Sequence, residues 1–233
     1  MRTWQATLLP ARVRARYTGA ASGGAKMTTQ TETYFYEPTK GHGLPHDPFK
    51  AIVAPRPIGW IATRDRQGRV NLAPYSFFNA IHGSPPMVGF SSSGYKDSVR
   101  NAEEMGEFVC NLATRPLAEA MNRTSAPVAT GVDEMTLAGL EAASCRIVAV
   151  PRVAAAPAAL ECKTVQVIRL HDLDGNDVDG YFTIGQVVGV HIDPRCLKDG
   201  LFDITAAQPI TRAGYRADYT ALGALFQMVR PNE

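Results

Sequence analysis

Short apolar segments with alternating polar positions dominate the chain from Tyr34 onward. The segments "IGWIAT" and "RVNLAPYSFF" flank the polar turn "RDRQG", and "PMVGFSS" and "EFVCNLA" continue the pattern. Two longer runs, "ALECKTVQVIRL" and "YFTIGQVVGVHI", are joined by "HDLDGNDVDG". Alternating β-branched and aromatic residues bounded by Gly, Asn and Asp are typical of strands joined by hairpins. The pattern therefore predicts an antiparallel sheet.

Two segments have helical spacing instead. In "DSVRNAEEMG" three apolar residues recur on one face, Asp97 or Ser98 is suited to cap the first turn, and Gly106 is suited to end the helix. A second helix is predicted in "PLAEAMNRT", where Pro116 is suited to the first turn. Hairpins with two inserted helices and no β-α-β alternation predict a mainly β fold, an antiparallel barrel.

Residues 1–26 differ in composition from the rest of the chain. They contain four arginines and Lys26 without an acidic residue, and they end in "TGAASGGAK". A signal peptide would need a continuous apolar core, which proline and arginine interrupt here, and a transit peptide would contain more serine. We expect residues 1–26 to be a disordered extension and 27–233 to be one domain, with Met27 as an alternative start.

The overall composition of the chain indicates which class of partner to expect. The chain has 45% hydrophobic and 20% charged residues and a formal charge of +2. No apolar run approaches the ~18 to 20 residues of a membrane span. So small a charge gives no argument for nucleic acid or anionic lipid. A small-molecule partner, with no nucleic acid and no membrane, is expected.

The cysteines and histidines do not form a metal or catalytic pattern in the sequence. Four cysteines lie far apart without a C-x-x-C pair, so neither a zinc site nor a disulfide framework is predicted, and a reducing, cytoplasmic setting is the simpler expectation. Cys110 is expected to be a buried apolar residue rather than a nucleophile. His42, His46 and Asp47 in "GHGLPHDPF" are interpreted as a loop rather than a metal site, and no catalytic residue is assigned.

A cluster of small hydroxyl residues precedes the first predicted helix. In "SSSGYKDSVRN" three serines, a lysine and a fourth serine surround the helix start. Unpaired N–H groups at the positive end of a helix, with hydroxyls and one cation, are the ingredients of a phosphate site. The spacing matches neither G-x-G-x-x-G nor a P-loop. A solvated turn with an ordinary cap is the alternative interpretation.

The segment from about residue 43 to 125 resembles the flavin reductase-like family of FMN-binding split barrels. The resemblance lies in "PRPIGWIAT", "NLAPYSFFN", "PPMV", "KDS-x-RN" and "EFV-x-N", in the family's order, and in the later "GQVVGVHI". It covers the chain from Tyr34 to about Tyr219. It implies a mainly β, antiparallel split barrel of Greek-key type with a few inserted short helices.

The resemblance also implies which residues contact the flavin. Four backbone positions follow the isoalloxazine edge, hydroxyl and ammonium groups surround the ribityl phosphate, and two further residues make weaker contacts. Core packing and a satisfied strand-end amide are the alternatives for the phenylalanines and the asparagine. The implied set is Arg56, Ser76, Phe77, Phe78, Asn79, Ser91, Ser92, Ser93, Lys96, Ser98 and Asn111. His191 is implied to line a nicotinamide pocket.

The function that follows is an FMN oxidoreductase that takes hydride from NADH or NADPH. Because the flavin itself accepts the hydride, no catalytic side chain is needed. The resemblance further implies a homodimer in which "PITRAGYRADYTALG" reaches over the flavin, with Tyr215 and Tyr219 as participants. Two alternatives stay open: an FMN electron carrier or sensor without nucleotide activity, and another FMN enzyme such as an oxidase.

Overall fold

The structure, a computed structural model, describes residues 33–231 and contains two units, divided after Gly43. In the described part of the first unit, a 3₁₀ turn forms at Pro38–Lys40. There the Tyr34 hydroxyl donates to the carbonyl of His42 at 2.9 Å. The extension predicted at residues 1–26 lies outside the described residues, so its disorder stays a prediction.

The second unit, from Leu44 onward, is mainly β. Its α-helices are α1 (Phe49–Ile52), α2 (Asp97–Met105), α3 (Ala118–Arg123), α4 (Glu134–Leu137) and α5 (Ile204–Ala207), with a 3₁₀ turn at Pro194–Cys196. Its strands are β1 (Arg56–Pro57), β2 (Gly59–Arg64), β3 (Val70–Tyr75), β4 (Phe78–Gly83), β5 (Pro86–Ser93), β6 (Glu107–Leu112), β7 (Ala142–Ala143), β8 (Arg152–Val153), β9 (Ala158–His171), β10 (Asp177–Ile192), β11 (Leu197–Lys198), β12 (Leu201–Phe202), β13 (Ile210–Arg212) and β14 (Tyr219–Ala221). The predicted mainly β, antiparallel fold with short inserted helices is confirmed.

Seven strands form the main sheet, in the order β3-β2-β6-β9-β10-β5-β4. Every pairing in it is antiparallel. The β2–β3 hairpin has the predicted turn, in which the Asp65 carboxylate accepts from the backbone N–H groups of Gln67 and Arg69, both at 2.9 Å. The β9–β10 hairpin is also as predicted, with Asp172 organising its turn in the same way. Short polar side chains thus fix both registers locally.

Two hydrophobic clusters pack on the main sheet. One contains Trp60, Leu72 and Val109, all fully buried, and the other contains Phe90, Phe108 and Cys110. Strand residues alternate between faces, so β2, β6 and β9 contribute to both clusters. Cys110 is buried as predicted, and burial raises its pKa to about 12, which keeps the thiol protonated.

Three polar side chains hold the segment 146–153 across the first cluster. Glu161 accepts from the successive N–H groups of residues 146–148 at 2.7–2.9 Å. Glu107 accepts from the N–H of residue 149 at 2.7 Å, and Asn111 accepts from that of residue 153 at 2.8 Å. A segment with little regular structure thereby satisfies its buried donors through side chains. We call Glu107, Asn111 and Glu161 the clamp.

Some local predictions were wrong. The helix α2 has Lys96 as its N-cap residue, not Asp97 or Ser98, and α3 begins at Ala118, so Pro116 precedes the helix. Five short α-helices are present in the described residues instead of two. No helix in the described part of the chain is long and apolar enough to span a membrane.

Candidate functional site

A cleft lies along the outer edge of β3. This strand and β4 are consecutive in the sequence, yet they occupy opposite edges of the main sheet, so Ser76 and Phe77 bridge the gap between them. No strand among the described residues pairs with the outer edge of β3. One of its outward N–H groups, that of Leu72, donates to Glu134 Oε2 at 2.9 Å. Helix α4 thus covers part of this edge, and Asn71 and residues 73–75 of β3 line the cleft.

The cleft has two adjoining hollows, of about 510 and about 550 Å³, which share Pro74 and Ser125. Both volumes are within the usual range of small-molecule sites. The first hollow is lined chiefly by Asn71, Tyr75, Tyr95, Lys96, Asp97, Ser98, Arg100, Thr124, Thr130 and Glu134. The second is lined by Ile58, Ser76, Met121, Asn122, Arg212, Arg216, Ala217 and Tyr219.

The first hollow contains the amino-terminal end of α2. Its N-cap residue, Lys96, has an extended backbone and makes no side-chain capping bond, so no N-cap side chain occupies the first-turn N–H groups. The Lys96 side chain is exposed and forms no ion pair with another described residue. The neighbouring Asp97 carboxylate pairs instead with Arg100, at 2.7 Å. A lysine charge and a positive helix end therefore face the same hollow, which favours an anion.

The hydroxyl of Ser98 belongs to a buried network behind this hollow. It accepts from Asn71 Nδ2 at 2.8 Å, which ties α2 to β3. Burial raises the pKa of Tyr75, while hydrogen bonds with Ser98 and Ser92 oppose the increase. Ser92 also donates to the carbonyl of Gly94 at 2.9 Å. These internal bonds fix the wall of the hollow in position.

Comparison with known proteins identifies the family. The model of the flavin reductase like domain matches residues 53–207, which is more than half of the chain. The chain belongs to the flavin reductase-like family. An uncharacterized relative from Halalkalibacterium halodurans is 34% identical over 184 residues, covering 77% of this chain and 87% of that protein.

Solved structures of the family have the same fold. The nitrilotriacetate monooxygenase component B from Bacillus cereus is 28% identical, with a TM-score of 0.73, covering 90% of this chain and all of that one. The 2-nitrobenzoate 2-nitroreductase from Pseudomonas fluorescens is 25% identical, with a TM-score of 0.69, covering 79% of this chain and 89% of that one. FMN-binding split-barrel proteins are among the further neighbours, and the predicted split barrel is confirmed.

The predicted flavin reductase-like site is brought together only in part. Lys96 and Ser98 line the first hollow, and Ser76 lines the second. Ser91, Ser92 and Ser93 lie on β5 opposite β10 and line neither hollow. Their contact with a flavin phosphate stays a prediction.

The aromatic part of the "SFFN" motif is divided between surface and core. Phe77 is 37% exposed, with the Lys50 ammonium 5.9 Å from its ring centroid. Phe78 packs over Gly59, where an added Cβ would lie 2.5 Å from the ring. Asn79 is exposed, and its side-chain carbonyl accepts from the next backbone N–H, that of Ala80, at 2.9 Å. Of the four positions, only Ser76 lies in the cleft.

Two residues predicted to contact the flavin have hydrogen-bond partners within the chain, and their flavin contacts stay predictions. Asn111 is fully buried, donating to the carbonyl of Trp60 at 3.1 Å and accepting from Val153 N–H. Arg56 is 5% exposed and donates to the carbonyls of Lys50, Val53 and Ala213. In this geometry the amide of Asn111 has no group directed at the cleft, and the Nη groups of Arg56 are committed to backbone carbonyls.

His191 lies at the clamp and lines neither hollow. Its Nε2 is 2.6 Å from Glu161 Oε1. Burial raises the pKa of Glu161, but the three backbone N–H groups and His191 more than offset this and lower it to about 2. The predicted nicotinamide contact of His191 stays a prediction.

Cys145 completes a group of three possible metal ligands with Glu161 and His191, whose ligand atoms all lie within 4.8 Å of one another. Burial raises the pKa of Cys145 to about 11, and both oxygens of Glu161 already accept from N–H groups. The bonding of this carboxylate is that of a structural clamp.

Several residues of the cleft were not predicted from the sequence. Asn71, Asn122, Ser125, Arg212 and Arg216 come from three separate segments. The polar run "NRTSAP", which begins in the last turn of α3, was a signal for Asn122 and the serine. Tyr219 was predicted as a participant and lines the second hollow, whereas Tyr215 contacts the ring of His46 at a centroid distance of 5.7 Å.

Proposed function

We propose that this flavin reductase-like protein binds FMN in the β3 cleft and transfers hydride to it from NADH or NADPH. The observation that carries the proposal is the charge and shape of the cleft. One end has an uncapped helix terminus beside Lys96, and the other opens on the polar strand edge at Ser76. The phosphate, ribityl chain and planar ring of FMN, which follow one another in a line, would fit the cleft in this direction.

The residues present suit such a cofactor. The ammonium of Lys96 and the first N–H groups of α2 would hold the phosphate, since the first-turn carboxylate, that of Asp97, is paired with Arg100. Ser125, where the hollows meet, offers a hydroxyl that now donates to the carbonyl of Asn122 at 2.6 Å. It would contact the ribityl chain.

Bound FMN would supply the hydride-accepting atom, so the protein needs only to orient the two reactants. The cleft's ionisable residues are consistent with this. Burial raises the pKa of Glu134, whose carboxylate is engaged by Leu72 N–H. A hydrogen bond to Glu103 raises the pKa of Tyr95 to about 12. Both groups line the first hollow and not the second, where Ser76 lies, so we assign neither of them a role as acid or base.

Anaerobic reduction of the FMN-loaded protein tests the proposal. We expect NADH or NADPH to bleach the flavin absorbance within minutes. Bleaching by dithionite alone would refute the proposal and favour an electron carrier. Formation of peroxide with an organic substrate, without bleaching by a nucleotide, would favour an oxidase. Free FMN at the same concentration is the control, because it reports the uncatalysed rate.

Similarity to a nitroreductase favours a second candidate function. In that case reducing equivalents pass to an organic molecule bound at the same flavin, instead of leaving with a diffusing flavin. Aerobic NADPH oxidation with and without a nitroaromatic acceptor distinguishes the two. Disappearance of the nitro compound in proportion to nucleotide consumed would favour the second function.

We also propose that the protein is a homodimer in the cytoplasm. Near its carboxyl end Leu225, Phe226, Met228 and Val229 are 68–84% exposed, which is unusual for a monomer with so many neighbouring apolar side chains. Unpaired cysteines favour a reducing compartment. Light scattering during gel filtration tests the dimer, and a monomeric mass at micromolar concentration would refute it.

A further inference from the structure

A row of three residues crosses the small sheet β1-β13-β14 beside the second hollow. Arg56 pairs with Arg212, and Arg212 pairs with Tyr219, in the registers of the two strand pairs. The Arg212 guanidinium carbon lies 4.5 Å from the centroid of the Tyr219 ring. This cation–π contact holds the guanidinium of a half-buried arginine against the wall of the hollow.

Among the described residues, the two arginines that line the second hollow, Arg212 and Arg216, have no carboxylate partner. Neither Arg212 nor Arg216 forms an ion pair with a carboxylate in the described part of the chain. The nearest acidic residue in sequence, Asp218, accepts from the N–H of Tyr215 at 2.8 Å, inside its own turn. Of the residues that the structure describes, none with an acidic side chain lines the second hollow.

Arg56 adds a further positive charge next to Arg212, with which it is paired across the strands. It is 5% exposed, and its Nε is buried without a hydrogen-bond partner. Burial lowers the pKa of Arg56, and the charge of Arg212 lowers it further. Two like charges at neighbouring positions destabilise the empty site, and an anion in the hollow would relieve the repulsion.

We infer that Arg212 and Arg216 form an anion subsite for the pyrophosphate of the nicotinamide nucleotide. This rests on the proposed function for the hydride donor. The subsite shares its hollow with Ser76, so a donor held there by its phosphates has its nicotinamide near the proposed flavin ring. Guanidinium groups are suited to phosphate oxygens because their planar donors bind in pairs.

The space beyond the arginines suits the remainder of a dinucleotide. A third hollow, of about 480 Å³, adjoins the second and shares Met121, Asn122 and Tyr219 with it. Its other lining residues are three apolar ones, Ala118, Ile210 and Ala221, and three polar ones, Arg115, Glu119 and Thr220. An uncharged adenosine would lie against the three apolar residues. Because both nucleotides contain the pyrophosphate, NADH and NADPH are expected to depend on the arginines equally.

Equilibrium binding to the FMN-loaded protein tests the inference without requiring hydride transfer. The probes are inorganic pyrophosphate, NAD⁺, NADP⁺ and benzoate, measured by calorimetry. With Arg212→Gln or Arg216→Gln we expect the affinity for pyrophosphate and both nucleotides to fall about tenfold or more. Arg66→Gln, in the β2–β3 turn, makes the same charge change outside the cleft and is the matched control.

Each outcome decides the matter. Unchanged pyrophosphate affinity in both variants, no pyrophosphate binding to the unmodified protein, or tighter binding of benzoate than of pyrophosphate would overturn the subsite. A weakening that Arg66→Gln reproduces would also overturn it. Arginine-dependent binding without anaerobic bleaching would keep the subsite and refute the proposed reductase. If the nucleotides still bleach the flavin but the arginine variants bind the probes as tightly as the unmodified protein, the proposed reductase is kept and the subsite is refuted.

Discussion

Replacing Glu161 with glutamine is the most informative test of how this fold is held together. The substitution keeps the size of the side chain but removes the charge that four N–H groups stabilise. Burial of the carboxylate raises its pKa, the hydrogen bonds outweigh this, and the result is a decrease from 4.5 to about 2. A decrease of that size corresponds to about 3 kcal/mol of folding free energy.

The direction of the pKa shift of Glu161 determines how the free energy of unfolding depends on pH. Because the pKa is lower in the folded state, the stabilisation is fully present above the unfolded value near 4.5 and is lost as pH falls toward about 2. Glu161→Gln should therefore lose about 3 kcal/mol at pH 7, or roughly 6 to 12 °C in melting temperature. The difference from the unmodified protein should shrink between pH 4.5 and pH 2.

Urea unfolding at pH 7 and pH 3, with FMN at saturation, measures both expectations. Glu141→Gln is the control, since the same charge is removed from an exposed side chain, and it should change stability by about 0.5 kcal/mol or less. Equal unfolding midpoints for the Glu161 variant and the unmodified protein at pH 7 would refute the reasoning. A loss that is as large at pH 3 as at pH 7 would show that the charge is not its source.

Three further predictions concern other parts of the molecule. Lys96→Ala should weaken FMN binding roughly 10- to 150-fold and leave riboflavin binding unchanged, because only FMN has the phosphate; equal effects in fluorescence titrations would contradict this. Gly185→Ala places a Cβ 2.4 Å from the Phe108 ring and should cost about 1 to 3 kcal/mol, whereas Gly83→Ala meets no atom within 4 Å and should cost much less in the same urea titration. A chain starting at Met27 should keep its FMN content and melting temperature, and a loss of several degrees would show that the preceding residues contribute contacts.

The sheet could be predicted because its signals are local. Asp65 and Asp172 organise their turns with N–H groups two and four residues away, so the sequence near each turn contains the information. The cap of α2 was assigned wrongly for the opposite reason. Ser98 is a good capping residue in isolation. In the folded chain, however, its hydroxyl accepts a hydrogen bond from Asn71, on β3. Tertiary partners outweighed the local preference.

The contrast between local signals and tertiary contacts also explains which parts of the site could be predicted. Lys96 lies near a helix start that the sequence identifies, so its position at the first hollow had a local signal, and its contact with FMN stays a prediction. Arg212 and Arg216 lie on a short hairpin that reaches the cleft only through pairing with β1, more than 150 residues earlier. Glu161 was missed as a structural residue because a glutamate inside an alternating strand is normally expected to face solvent.

Strand pairing also connects the clamp to the cleft. Pro74, Trp60, Asn111, Ala159 and His191 are successive partners across five strands of the main sheet. At one end of this row the Trp60 indole donates to Thr124 Oγ1 at 2.9 Å, which fixes the start of the segment that lines the first hollow. At the other end Nε2 of His191 lies 2.6 Å from Oε1 of Glu161. Buried polar groups on the main sheet therefore position both the cleft wall and the segment 146–153 over the core. The shape of the cleft does not depend on a catalytic acid or base placed in it.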